Sequence, residues 1–415
     1  MDATLNRRLD RLRLSASRSA PSPAATRQGR AGRLAEVLGG GVVARDGSEI
    51  VVVDATFELS VDAHRLAALP YPFDAQRPLV CLDVETTGLG TAAGTLCFLV
   101  GIGTWTGGGH FGVRQLLLPD HADEAALLGQ LAETLPRDAW LVTYNGVSFD
   151  WPLLVSRYRL HRRDPPSLAG QLDLLPVARG LWRHRLENAR LATVEAGICG
   201  VVRHGDLPGA LVPERYFGYL RSRRPELLRD VLDHNRQDIV SLGLLLSRLA
   251  DGVADQACWP AAHPGDLGGL ARAYLRRGRL VEALACVEAA LAAAAWQRGV
   301  VGGGPLRRRL AAERARLLAR LGHRAESTAA WLELARTGGP GAAAAWLHVA
   351  RAREHFEHDF GAAIDACQAA VDLAQRARAF GYPLVSVERD LARRLPRLRR
   401  RAAARRAGST ARRAA

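Results

Sequence analysis

The segment LVCLDVETTGL, residues 79–89, constrains this chain more than any other. Residues 79–84 are a short apolar run that reads as a buried central strand, and Gly88 and Gly90 end it. Side chains alternate faces along a strand, so Asp83 and Glu85, two apart, leave the same face and can reach one pair of metal ions.

Two further segments offer the same chemistry. In TYNGVSFDWPLL, Asp150 follows the apolar run 140–144 through the turn-like Asn145-Gly146, and it opens an apolar stretch that reads as a helix start. Residues 227–249, which contain HNRQDIVSL, have helical periodicity, with Leu228, Val231, Leu232, Ile239, Leu242, Leu245, Leu246 and Leu249 as apolar positions. On that helix His234 and Asp238 are i and i+4 and stack on one face. An imidazole one turn from a metal-binding carboxylate could take the proton from an attacking water. Singly, each feature has a plain structural reading: a chance DxE, a helix cap, a solvated histidine. Jointly, three motifs at the edges of apolar elements supply what metal-assisted hydrolysis requires, a cluster of oxygen ligands for two ions roughly 3.5 to 4 Å apart.

The succession DxETTG, NGxxFDxPxL and a late helix with an acidic residue four after a histidine resembles the three exonuclease motifs of the DEDD exonucleases, a ribonuclease H-like superfamily. The resemblance implies two Mg²⁺ or Mn²⁺ ions held by Asp83, Glu85, Asp150 and Asp238, His234 as general base, and removal of nucleotides from 3′ ends. More narrowly, residues 79–249 are similar to a bacterial group of ribonuclease H-like proteins often fused to tetratricopeptide repeats; QLDLLPVARGLW, RLENARLATVEAGICGVVRHGDLPGALVPERYFGYL and DHNRQDIVSLGLLL carry that likeness. One departure stands out. DEDD enzymes with histidine usually space it one residue further from the last Asp, so His234 sits where the tyrosine of the other subgroup normally sits. Asp173 in QLDLL is expected to support the fold beside the site.

Around these motifs the pattern is α/β: a ribonuclease H-like mixed sheet flanked by helices, followed by an all-α tetratricopeptide-like repeat domain. Residues 95–105 and 110–118 read as a hairpin joined through Thr106-Gly107-Gly108-Gly109, residues 123–135 as an amphipathic helix, and 140–144 as the next strand. At 415 residues, with 48% of them apolar, the chain can bury two or three cores. The expected division is a basic disordered arm at 1–33, an extension with short strands at 34–78, the exonuclease domain at 79–250, a linker at 251–266 marked by Trp259-Pro260 and His263-Pro264-Gly265, helical repeats at 267–388 and an Arg-rich tail at 389–415. Within the repeats, Gly278, Gly322 and His358 mark inter-helix turns 44 and 36 residues apart, longer than the ideal period of about 34, with the excess at 302–305 and 338–341.

The net charge of +15 is concentrated at the ends: residues 1–35 hold eight Arg and two Asp, and 389–415 hold eleven Arg and one Asp. Such ends read either as arms that hold a nucleic-acid backbone without sequence preference or as solvated tails of an Arg-rich composition. Near the carboxylates, Thr86, Asn145, Arg157 and Arg162 are the candidate contacts to nucleic acid, with Arg159 and Arg163 beside them, and Tyr216, Phe217 and Tyr219 are candidates to stack on bases. Six scattered cysteines with no CxxC pair argue against a disulfide framework or zinc site and for a cytoplasmic protein. The most apolar stretch, 280–296, is broken by Glu282 and Glu288, which excludes a membrane span, and the basic N-terminus lacks the apolar run of a secretory signal. Two functions from different classes follow. One is a metal-dependent 3′→5′ exonuclease acting on single strands or 3′ ends of DNA or RNA. The other is a non-catalytic nucleic-acid-binding scaffold whose repeats recruit a protein partner.

Overall fold

The computed structural model describes residues 23–88, 94–294, 296 and 303–414; residues 1–22 of the expected arm, Gly90 and Gly302 lie outside them. The chain divides into two compact units, Met1–Arg179 with Arg185–Ala254, and Gly180–His184 with Asp255–Ala415.

The first unit is built on one seven-stranded mixed sheet in the order β1-β2-β5-β4-β3-β6-β7. Its strands are β1 (Gly41–Arg45), β2 (Ser48–Glu58), β3 (Leu79–Thr86), β4 (Cys97–Gly107), β5 (His110–Leu117), β6 (Ala139–Thr143) and β7 (Leu168–Asp173). From β1 through β3 neighbours in the sheet run antiparallel, whereas β3/β6 and β6/β7 are parallel. The glycine-rich turn joins β4 to β5 as the sequence predicts, with Gly107, Gly108 and Gly109 all at positive φ. Val80, Leu82 and Val84 of β3 belong to a buried cluster that takes in Leu127 and Leu131 of α3 (Glu124–Thr134) and Leu154 and Tyr158 of α4 (Asp150–Leu160).

Two expectations about the N-terminal region are corrected. Helix α1 (Pro23–Leu38) runs through residues 23–33 of the supposed disordered arm, because Ala31, Leu34 and Ala35 share one face and all three are buried. Residues 34–78 are no appendage either. The Asp46-Gly47 turn, both residues at positive φ, closes the β1–β2 hairpin, and β2 pairs with β5 from Val51↔Leu117 to Glu58↔His110. Without β2, β5 would present an unpaired edge.

Helix α8 (Arg229–Arg248) crosses β4 at a point where the strand has no side chains. A Cβ on Gly101 would lie 2.4 Å from Asn235 Oδ1 and 2.8 Å from Ile239 Cγ1, and one on Gly103 would lie 2.7 Å from Ile239 Cγ2. Both glycines point from the same face of β4, so together they form the bed of the helix.

The second unit is helical. Helices α9 (Pro264–Arg276) and α10 (Leu280–Ala292), α11 (Gly303–Arg320) and α12 (Arg324–Arg336), and α13 (Ala342–His355) and α14 (Phe360–Ala379) form three hairpins. The turn positions singled out in sequence, Gly278, Gly322 and His358, take φ of +73°, +89° and +52°. The expected linker 251–266 is itself structured: Trp259 is buried in a short 3₁₀ helix, Gln256–Ala261, and His263 Nδ1 accepts the Gly265 N–H at 3.0 Å to cap α9. The expected Arg-rich tail is helix α15 (Val385–Ala414), and its inner face has a reason to be basic. Glu354, fully buried, receives Arg394, Arg397 (Nε 3.0 Å, Nη2 2.8 Å) and Arg401 (3.3 Å). Cys81, Cys97, Cys286 and Cys367 are free and buried.

The bed of α8 yields a testable consequence. Gly101→Ala forces the helix or Asn235 to shift and is expected to cost about 1–3 kcal/mol, as overpacking does. Urea unfolding measures it; an unchanged midpoint and slope would show that α8 does not depend on that contact.

Candidate active site

Strand β3 carries Asp83 and Glu85 out on one face of the sheet, and its register with β4 shifts between Glu85 and Thr86, so the carboxylates stand at the end of the regular ladder. The Thr86 hydroxyl donates to Gly88 O at 2.6 Å, tightening the turn that follows. Parallel β6 delivers the next segment. Asn145 adopts φ +70°, and its N–H donates to Asp173 Oδ1 at 2.7 Å; the same oxygen accepts Leu175 N–H at 2.9 Å at the start of α5 (Leu174–Trp182). Asp173 thus pins the turn and caps a helix, the supporting part expected of it. A Cβ on Gly146 would meet Asp150 Oδ2 at 2.6 Å, so only glycine lets the chain fold back beside the Asp150 carboxylate in the first turn of α4.

Helix α8 brings the remaining groups. Asn235 Nδ2 donates to Asp83 Oδ2 at 2.8 Å, while the buried Gln115 Nε2 donates to Asn235 Oδ1 at 2.9 Å and to Leu232 O at 2.8 Å. His234 turns its Nε2 toward the cluster, 3.8 Å from both Glu85 Oε1 and Asp238 Oδ2. Its Nδ1 lies 2.7 Å from Asp206 Oδ1. Arg203 joins this assembly from behind: Nη1 lies 3.0 Å from Asp206 Oδ2, Nη2 2.6 Å from Asp238 Oδ1 and Nε 2.6 Å from Glu195 Oε2, with Glu195 fully buried. Gln115, Asn235, Arg203, Asp206 and Glu195 were not singled out in sequence. Only the RHGDLPG segment, where Arg203 and Asp206 lie three apart, carried a local signal for any of them.

The electrostatics follow from crowding. Burial, then Asp238, Glu85 and Asp150, push the Asp83 carboxyl well above the usual range against the opposing hydrogen bond from Asn235. Burial, then Asp238, Asp150 and Asp206, do the same to Glu85. Asp150 rises to about 7 through burial and the neighbouring Asp173 and Asp238. Asp238 is raised by burial although His234 and Arg203 draw it down. Burial would also raise Asp206, but His234 and Arg203 outweigh it and hold that carboxyl below its usual value. Asp83, Glu85 and Asp150 are each raised by burial and by neighbouring carboxylates, and such crowded oxygen donors from three segments are of the kind a hard divalent cation takes.

The candidate nucleic-acid contacts divide. Thr86 and Asn145 adjoin the carboxylates. Arg157 does not serve as a free cation: its Nε lies 2.6 Å and its Nη2 2.5 Å from the Glu124 carboxylate, which is buried and also meets His161 Nε2 at 2.7 Å. Arg162, at φ +55°, is exposed just past the end of α4, and Arg163 Nη2 binds Asp46 at 2.7 Å. Tyr216 and Tyr219 are core residues, their hydroxyls donating to Leu118 O and Pro119 O at 3.2 Å, and Tyr216 stacks on Phe98.

Between the unfolded value of 3.8 and the folded value of about 7, folded Asp150 holds a proton that the unfolded chain has lost. Metal-free stability therefore falls as pH rises through that window, and Asp150→Asn is expected to flatten the fall. Near pH 8, ~1 mM Mn²⁺ is expected to raise the melting temperature of the wild type but not of Asp83→Ala. Circular-dichroism melts in EDTA and in Mn²⁺ measure both effects, and an equal Mn²⁺ shift in the two proteins rules the cluster out as a cation site.

Residues 80–250 match a family model described as RNase_H superfamily. The chain is also similar to an uncharacterized protein, YprB, of Bacillus subtilis (strain 168), with 36% identity over 218 residues. That alignment covers 52% of this chain and 52% of the relative, so the chain spans about half the length of the relative it matches. Residues 80–250, similar to the RNase_H superfamily, hold the carboxylate-bearing central strand and most of the mixed sheet, to which β1 and β2 are added from outside the matched segment.

Proposed function

We propose that this chain is a DEDD-type 3′→5′ exonuclease that hydrolyses phosphodiester bonds of DNA or RNA with two divalent ions. The observation that carries the reading is the convergence of Asp83, Glu85, Asp150 and Asp238, from three separate segments, beside a histidine whose far nitrogen is held by Asp206. The superfamily match supports a nuclease, and domains of this kind usually work with divalent metals. Asp83, Glu85, Asp150 and Asp238 are the residues that would hold the ions. Bound there, Mg²⁺ or Mn²⁺ would supply positive charge to the scissile phosphate and to the departing 3′ oxygen.

The protein's own groups account for the proton. In the tautomer that donates Nδ1–H to Asp206, His234 would turn its Nε2 lone pair toward Glu85 and Asp238, placed to accept the proton of a water attacking phosphorus. The P–O3′ bond breaks, leaving a nucleoside monophosphate and a shortened strand. Asp206 is a positioning residue, and Arg203 holds both Asp206 and Asp238 in place. Thr86, Asn145 and Arg162 would meet the strand near its 3′ end. The helical hairpins, with left-handed turns at Gly278, Gly322 and His358, read as tetratricopeptide-like repeats.

Cleavage of 5′-labelled single-stranded DNA and RNA in Mn²⁺ tests the reading. The wild type is expected to produce a ladder shrinking from the 3′ end, and Asp83→Ala none. Asp206→Asn is expected to lower kcat by about 10- to 100-fold with little change in KM, and to alter the limb of the pH–rate profile that reports the base. Intact label with strand binding retained would replace the exonuclease by a nucleic-acid-binding scaffold.

A further inference from the structure

The helical unit carries a positively charged groove along α11 that the chemistry above does not use. Helix α11 holds six arginines and one acidic residue, Glu313. Two of the six have acidic neighbours: Arg314 Nε lies 3.0 Å from Glu288 Oε1, and Arg316 Nη1 lies 3.1 Å from Glu313 Oε2. Among the described residues no carboxylate pairs with Arg308 or Arg309.

Two cavities open beside this helix. One, of about 340 Å³, lies between α11, α12 and α13, with Arg308, Arg309 and Arg316 along it and an apolar wall that includes Trp331 and Leu334. The other, of about 530 Å³, shares Arg308 and Leu334, continues past Arg307 and Arg314, and is lined by one acid, Glu333. The wall of the first is rigid: Trp331 and His348 stack with centroids 4.0 Å apart and planes 6° from parallel, and the Arg316 guanidinium lies 5.6 Å from the Trp331 ring.

Arginines outnumber acids around the groove, where Glu313 and Glu333 are nearby carboxylates. Burial, then Arg309 and Arg276, push the Arg272 guanidinium below its usual range. Burial, then Arg351 and Arg316, push His348 down to about 4. Like charges gathered on and beside α11 create a local field that an anion in the groove would relieve.

We propose that this groove binds a single strand of nucleic acid, with phosphates on Arg308 and Arg309, and on Arg316 as it exchanges its exposed pairing with Glu313 for the strand, and a base against the wall that Trp331 and Leu334 form. The pairing of cations with an apolar wall selects the ligand. A duplex could meet the arginines but keeps its base faces stacked, whereas a single strand offers both phosphates and an exposed aromatic face. An acidic peptide would match the charge and leave the apolar wall uncovered. The proposal rests on nucleic acid being the substrate of the first unit, but its test reads binding and not cleavage.

The full chain in EDTA is titrated with a fluorescein-labelled oligothymidylate, by anisotropy, at several salt concentrations. Replacing Arg308, Arg309 and Arg316 together by alanine is expected to weaken binding at least ~10-fold at low salt and to reduce the slope of log K against log salt by about 2, since each phosphate contact on a single strand contributes about 0.7. The triple lysine variant is expected to recover most of the slope, which separates lost charge from lost fold. Wild-type affinity and slope in the triple alanine variant overturn the proposal. So does displacement of the oligonucleotide by polyglutamate at equal charge, or equally tight groove-dependent binding of duplex DNA. If the nuclease reading fails instead, Asp83-dependent cleavage is absent while groove-dependent binding persists.

Discussion

The candidate site depends on one close approach, α8 lying directly on β4 where Gly101 and Gly103 have no side chains. Helix–sheet packing normally keeps side chains between the two backbones. Here Asn235 and Ile239 occupy the space the missing Cβ atoms leave, and Asn235 comes near enough to donate to Asp83 on the neighbouring strand. The same seating sets the height of His234 and Asp238, which flank Asn235 on the helix. Gln115, from β5, then fixes the helix against sliding by binding both Leu232 O and Asn235 Oδ1. A catalytic constellation on rigid elements needs such supports, because small displacements of a reacting group are costly.

Charge is the second constraint, and it explains why Asp238 keeps such different company from Asp83 and Glu85. Asp238 is divided between partners: Oδ1 meets Arg203, while Oδ2 faces His234. Among the described residues no arginine pairs with Asp83 or Glu85, Glu85 facing only His234 at 3.8 Å, and burial together with their neighbours drives both upward. An arginine could have been placed among them, but a guanidinium fills space and cannot be displaced by a substrate phosphate. On the reading proposed above, a small divalent ion held by these carboxylates would neutralise them and still be open to phosphate oxygens. Arg203, held at the rear by Glu195 and Asp206, positions these groups without occupying that place.

Much of the sheet and the carboxylate cluster was legible because the signals are local. A DxE at the end of an apolar run, a helix opening at Asp150 and an i, i+4 His–Asp pair each need only a few consecutive residues. What stayed hidden depends on partners far apart in sequence. Gln115 and Asn235 are ordinary polar residues until 120 positions are folded into contact. Arg157 looked like a free cation because Glu124, 33 residues earlier, gives no sign in sequence that it will be buried beneath it. Tyr216 and Tyr219 looked available to bases because their hydroxyls find backbone acceptors about 100 residues away. The strands β1 and β2 were visible as strands, but their place in the central sheet required knowing that β5 had an edge to offer.

The same distinction governs how the net charge of +15 should be read. Counting arginines placed the basic character at the two ends, yet on α15 Arg394, Arg397 and Arg401 converge on a single buried glutamate contributed by α13. Removing all three would leave that glutamate an unmatched buried charge and weaken the helical unit itself. Helix α11 carries fewer arginines than the C-terminal segment, but Arg308 and Arg309 meet no carboxylate among the described residues, and Arg309 presses on Arg272 instead. Neutralised guanidiniums contribute little field beyond their partners, whereas unmatched ones beside a cleft project it into solvent. Along α11, Arg308 and Arg309 hold such unmatched charge beside a cleft, which is what sets them apart from the arginines gathered on Glu354.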